Sequence, residues 1–170
     1  MKIGGAYWVA GETKAATTAW TQAMKEAKKI PCAYADLVEA WAKAGDGRRC
    51  AECLVASLNH NEDEALEAIE NISKSRESQP FLRQVLHNVA ASTSHLTQRA
   101  YLAQGLIYAG DMHGAGTLLR SVARQAVEQD DDDALLVVTG LDLKYKYSLL
   151  DRSTAEVVQA WIDANPGRLW

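Results

Sequence analysis

The chain has 170 residues, enough for one solenoid-like domain and short of two well-cored ones, because domains usually run to roughly 100–200 residues. Hydrophobic residues make up 48%, with three prolines, one phenylalanine and many Ala, Leu, Glu and Gln, which favours an all-α fold. The net charge of −4, from 18 basic and 22 acidic side chains with no clustered Lys/Arg stripe, argues against a protein that grips a nucleic-acid backbone.

The charge is uneven. Residues 1–30 carry five Lys against two Glu, whereas residues 61–90 carry three basic and six acidic side chains and residues 131–170 four and seven. No run of about 18 apolar residues is present, and the amino terminus lacks the pattern of a signal peptide. A soluble, cytoplasmic protein with no membrane partner is expected. Cys32, Cys50 and Cys53 form an odd set, so reduced thiols are expected in place of a disulfide framework.

A short apolar stretch with Gly4, Tyr7 and Trp8 comes first and breaks at Gly11-Glu12. Amphipathic helical spacing then recurs over 13–29, 33–44, 47–58, 62–74, 80–91, 95–109, 112–128, 132–149 and 153–164. Gly45-Asp46 and Gly110-Asp111 repeat the break at Gly11-Glu12: a glycine able to take the left-handed conformation ends one helix, and an acid favours the start of the next. Gly11 and Gly45 are 34 residues apart, and Gly45 and Gly110 are 65 apart, close to two further periods, with a degenerate turn expected near Ser78–Pro80. A period in the thirties with two helices per unit is the mark of stacked helix hairpins, none of which buries its apolar face alone.

The residues around these turns resemble the tetratricopeptide repeat. Gly4, Tyr7, Gly11, Ala16, Trp20 and Ala23 stand at that family's spacing, with Gly4 and Ala16 expected to let two helices approach and Tyr7 and Trp20 to fill the space beside them. The second unit keeps Tyr34, Leu37, Trp41, Gly45 and Asp46, but has Val38 where the family prefers Gly, and Cys50 and Ser57 where it prefers Ala. The fourth keeps Leu102, Ala103, Gly110, Asp111, Ala115 and Leu119, with Leu106 replacing a tyrosine. Residues 62–93 match only in helix length and apolar spacing, and the first unit lacks the family's opening residues.

The resemblance implies an all-α, right-handed superhelical array of antiparallel helix hairpins in a single domain, 1–170. Its units span about 1–30, 31–61, 62–94 and 95–129, and helices in 130–170 close it as a cap with a more polar exterior.

Several clusters carry possible chemistry. Cys50-x-x-Cys53, with Cys32 and His60, has the residue types of a zinc site, but the pair falls inside a helix at small-residue packing positions, where cysteine packs as an apolar group. His60, His87, His95 and His113 are scattered, with no triad or elbow pattern. Asp130–Asp133 lacks the glycine and closing glutamate of a calcium loop and reads as the cap of the helix from Ala134; Glu62-Asp63-Glu64 reads the same way before Ala65. No P-loop, dinucleotide fingerprint or HExxH is present.

Neither a catalytic residue, a metal nor a cofactor is expected, and the protein is read as a non-enzyme. By resemblance it binds another protein or peptide along a concave groove, as a scaffold, adaptor or chaperone. The aligned groove positions are Trp8, Glu39, Lys43, Gln104 and Tyr108. Gly5, Ala35 and Glu39 occupy the places of the basic clamp by which one branch holds acidic peptide termini, so that clamp is not expected. Trp170 follows the Asn165-Pro166-Gly167 break and either docks back or serves a partner. An exposed apolar groove leaves self-association open. The alternatives are RNA binding, by a likeness of the segment Leu37–Asp46 to pentatricopeptide repeats, and a zinc-dependent enzyme.

Overall fold

Helices formed at nearly every segment where the apolar spacing calls for them. The computed structural model describes residues 2–146 and 148–168, and among these there is no strand. The helices are α1 (Lys2–Val9), α2 (Thr13–Glu26), α3 (Ala33–Lys43), α4 (Gly47–Leu58), α5 (Glu62–Ser73), α6 (Gln79–Ser92), α7 (Leu96–Tyr108), α8 (Met112–Gln129), α9 (Asp132–Lys144) and α10 (Arg152–Ala164). No helix among the described residues is long and apolar enough to cross a membrane.

Gly11, Gly45 and Gly110 have φ of +80°, +69° and +76°, the left-handed region that a Cβ disfavours. After each, the next amide reaches back across the turn: Glu12 to the Tyr7 carbonyl (2.9 Å), Asp46 to Trp41 (3.1 Å) and Asp111 to Leu106 (2.8 Å). These bonds satisfy carbonyls that a helix end leaves open. The side chains of Asp46 and Asp111 then cap α4 and α8, accepting from the amides of Arg49 (3.0 Å) and Gly114 (2.8 Å), whereas Glu12 makes no side-chain cap on α2. Gly110→Ala should therefore lower stability by about 1 kcal/mol, read as a fall in urea midpoint with an unchanged slope. A cost near zero would remove the left-handed turn as a determinant.

The connection before α6 works differently. The Ser78 amide bonds to the Ser75 carbonyl, Gln79 Nε2 donates to the Ser73 carbonyl at 3.0 Å, and Pro80 sits in the first turn of α6, where a missing N–H costs nothing.

Two segments end sooner than their periodicity predicts. The 13–29 helix closes at Glu26 and tightens into a 3₁₀ turn over Ala27–Lys29. The 132–149 helix stops at Lys144 because the buried Asp142 carboxylate accepts from the amides of Leu149 (3.0 Å) and Leu150 (3.1 Å), folding the chain back. Lys146, at φ +58°, makes the bend.

The chain comprises two compact units, Met1–Val89 and Ala90–Trp170. In the first, α1 packs on α2, α2 on α3, and α3 on both α4 and α5, which also meets α4. Leu37, Trp41, Leu54, Leu58, Ile69, Leu82 and Leu86 are the largest fully buried side chains among its described residues, and Cys50 and Cys53 are wholly buried too. In the second, α7 packs on α8 and α9, while α8 also meets α9 and α10, around Leu102, Leu106, Leu119 and Leu135. Each unit thus has one helix packed on the next two in the chain, α3 on α4 and α5 in the first and α7 on α8 and α9 in the second.

Gly4 and Ala16 are buried where α1 crosses α2, and a Cβ on Gly4 would collide with the Trp20 indole. Trp20 fills that space as expected. Tyr7 does not: it is 39% exposed, because Trp8 takes the inner position.

Candidate partner-binding cleft

Within the first unit, α1 and α3 flank a cleft of about 760 Å³ lined by Gly5, Trp8, Val9, Trp20, Asp36, Glu39, Ala40 and Lys43. Asp36, Glu39, Ala40 and Lys43 recur at three- and four-residue intervals, which places them on one face of α3. Their opposite neighbours Leu37, Val38 and Trp41 go into the core.

The aromatic floor is built in layers. Trp8 lies 5.5 Å from Trp20, centroid to centroid, and Trp20 meets Trp41 edge-on at 5.7 Å. Such tilted and edge-to-face pairs are the favoured arrangements of aromatic quadrupoles. Trp8 is half-buried, so its indole is supported from beneath and open above, and Val9 at the rim is 89% exposed.

The polar wall has one fixed member and two that face solvent. Glu39 accepts from Asn71 Nδ2 on α5 at 2.9 Å, and Asn71 in turn accepts from Lys74 Nζ at 2.7 Å. Asp36 and Lys43 are exposed and, among the described residues, have no hydrogen-bond or ion-pair partner.

Of the five groove positions inferred from the sequence, Trp8, Glu39 and Lys43 come together here. Gln104 and Tyr108 lie in the second unit, on α7, where Gln104 Nε2 donates to the Tyr108 hydroxyl at 2.7 Å. Both are half-buried and serve as each other's partner. Val9, Trp20 and Asp36 were not among the inferred positions. Asp36 stands one turn before Glu39 on the same face, and that spacing was the available signal.

The cysteines have another role. Cys50 and Cys53 are wholly buried, and the Cys50 thiol donates to the Val38 carbonyl at 3.6 Å. Burial above all, with Asp46 nearby, pushes the Cys50 thiol up to about 12; burial pushes Cys53 to about 12 as well, with Cys50, Glu52 and Asp46 adding to it. Cys32 is exposed. Among the described residues no group of three or more His, Cys, Asp or Glu side chains is placed to hold a metal ion.

The acidic run divides its labour. Asp131 alone caps α9, accepting from the Ala134 amide at 3.0 Å, whereas Asp130 and Asp132 bind Arg168 at 2.8 Å each, and Asp130 also accepts from the Trp161 indole at 3.0 Å. The Arg168 and Trp161 bonds hold the Asp130 carboxyl below its ordinary value. Before α5, Asn61 is the cap, accepting from Asp63 and Glu64 amides, and the three acids line the first turn.

Two further depressions lie in the second unit. One, polar, is bordered by Arg120 and Arg124, whose donors already serve Leu149, Thr117, Ser153, Thr154 and Asp151. The other, of about 320 Å³, lies between α9 and α10 and is largely apolar. Leu136 and Leu143 on α9, which line this depression, are 49% and 58% exposed. Trp170 lies outside the described residues. Comparison with family models, curated proteins and solved structures finds no match for this chain.

Proposed function

We propose that the hairpins of each unit are tetratricopeptide-like repeats and that the protein is a binding scaffold for another protein, with the α1/α3 cleft as a contact site. The observation that carries this reading is the supported, open indole of Trp8 set beside an unpaired acid and an unpaired lysine. Aromatic side chains held rigidly in a depression are the usual anchors of protein interfaces, because they offer much contact area at little entropic cost. The packing of α3 on both α4 and α5 and of α7 on both α8 and α9, and the left-handed glycine turns, support the repeat assignment.

Affinity capture from native lysate, with wild-type protein and Trp8→Ala side by side, tests the reading. The expected result is a defined set of proteins retained by the wild type, insensitive to nuclease and depleted at least roughly tenfold by the variant, the scale of an interface hot spot. Retention that nuclease abolishes would favour RNA binding, and equal retention by both proteins would remove the cleft as the contact site.

A further inference from the structure

The chain twice builds the same small assembly inside itself. Arg49 lies over the Trp41 ring at 4.6 Å and pairs with Asp46 at 3.4 Å. Arg168 lies over the Trp161 ring at 5.1 Å and pairs with Asp130 and Asp132 at 2.8 Å. In both, a guanidinium is held from one side by an aromatic face and from another by carboxylates. The plane stacks on the ring while the N–H fork serves the acid.

The α1/α3 cleft holds two of these three parts. Trp8 offers the aromatic face, and Asp36 and Glu39 supply carboxylates in the same depression. Among the described residues no cation lies over Trp8, and Lys43 makes no ion pair with either acid. Two carboxylates against one ammonium leave the cleft acidic, and Glu39 is held in place from α5 by Asn71. We propose that the cleft takes an arginine-bearing segment of a partner protein, the guanidinium lying over the Trp8 indole and pairing with Asp36 and Glu39. This rests on the partner-binding reading above and adds the chemistry of what is bound. Arginine is preferred to lysine because a compact, strongly hydrated ammonium gains less from stacking. The exposed Val9 at the rim suits an apolar residue beside the arginine.

The test uses the full chain and fluorescein-labelled Ala/Leu host peptides with a central Arg, Lys, Gln or Glu, read by anisotropy. The Arg peptide is expected to bind about tenfold more tightly than the Gln peptide, with Lys between and Glu weakest. Asp36→Asn combined with Glu39→Gln should erase most of that preference while circular dichroism stays unchanged, and raised salt should narrow it too. Equal binding of the Arg and Gln peptides, both lost in Trp8→Ala, overturns the arginine proposal and leaves the cleft a binding site. A preference for Glu that vanishes in Lys43→Ala overturns it in the same way. Failure of every peptide to bind overturns it, while the lysate capture still decides the broader reading.

Discussion

Trp41→Ala is expected to destabilise the first unit by about 3–5 kcal/mol, the range for truncating a buried tryptophan. Trp41 is wholly buried, meets Trp20 edge-on at 5.7 Å and carries Arg49 over its outer face. Truncation would remove the ring face that Arg49 lies over and one of the two aromatic partners of Trp20. Against a typical domain stability of about 5–15 kcal/mol, such a loss is a large fraction of the whole. Trp41→Phe separates volume from polarity. Its indole N–H has no hydrogen-bond partner among the described residues, and an unpaired buried donor costs about 1–3 kcal/mol. Phenylalanine removes that donor while keeping most of the ring, so its net cost should be well under half that of alanine. Urea unfolding followed by far-ultraviolet circular dichroism gives both numbers. A cost for Trp41→Ala below about 1 kcal/mol would mean that the aromatic stack does not organise the unit.

The same residue shows what a sequence discloses and what it withholds. Trp41 stands four residues before Gly45, and the period that connects Gly11, Gly45 and Gly110 was legible because a left-handed turn is a local demand that few residues other than glycine meet without strain. The caps Asp46 and Asp111 are local in the same sense, each serving an amide three residues on. The all-α class and most helix bounds followed from local terms of this kind. The end of α9 did not, because it depends on a buried carboxylate binding amides seven and eight residues later. Nor did the fate of Asp130 and Asp132, which are claimed by an arginine 36–38 residues further along the chain. In the cleft, the family resemblance pointed to Glu39 and Lys43, which their four-residue spacing places on one face of α3. It did not reveal that Trp8 instead of Tyr7 would rest on Trp20, since an eight-residue helix can turn either aromatic inward until the close approach of Trp20 to Gly4, which only a residue without a Cβ permits, fixes its rotation.

The cysteines give a chemical result that separates packing from ligation or catalysis. At pH 8 a thiol-specific reagent is expected to modify one cysteine of the native protein quickly, the exposed Cys32, and to reach Cys50 and Cys53 only on unfolding. The thiolate is the reacting form, and thiols pushed from 9.0 up to about 12 supply about a thousandfold less of it at that pH, before burial blocks access further. The same displacement has a sign for stability. The folded-state value lies above the unfolded one, so the stabilising contribution is fully present below about pH 9 and is lost progressively as pH rises toward about 12, because the unfolded chain releases its thiol protons first. Cys50→Ala with Cys53→Ala should therefore flatten the alkaline fall in stability relative to wild type, even where it lowers the plateau by opening space in the core. Fast modification of all three thiols in the folded protein, or alkaline profiles that run parallel, would show that Cys50 and Cys53 are reached by solvent. The pair would then have to be treated as reactive groups and not as part of the packing between α3 and α4.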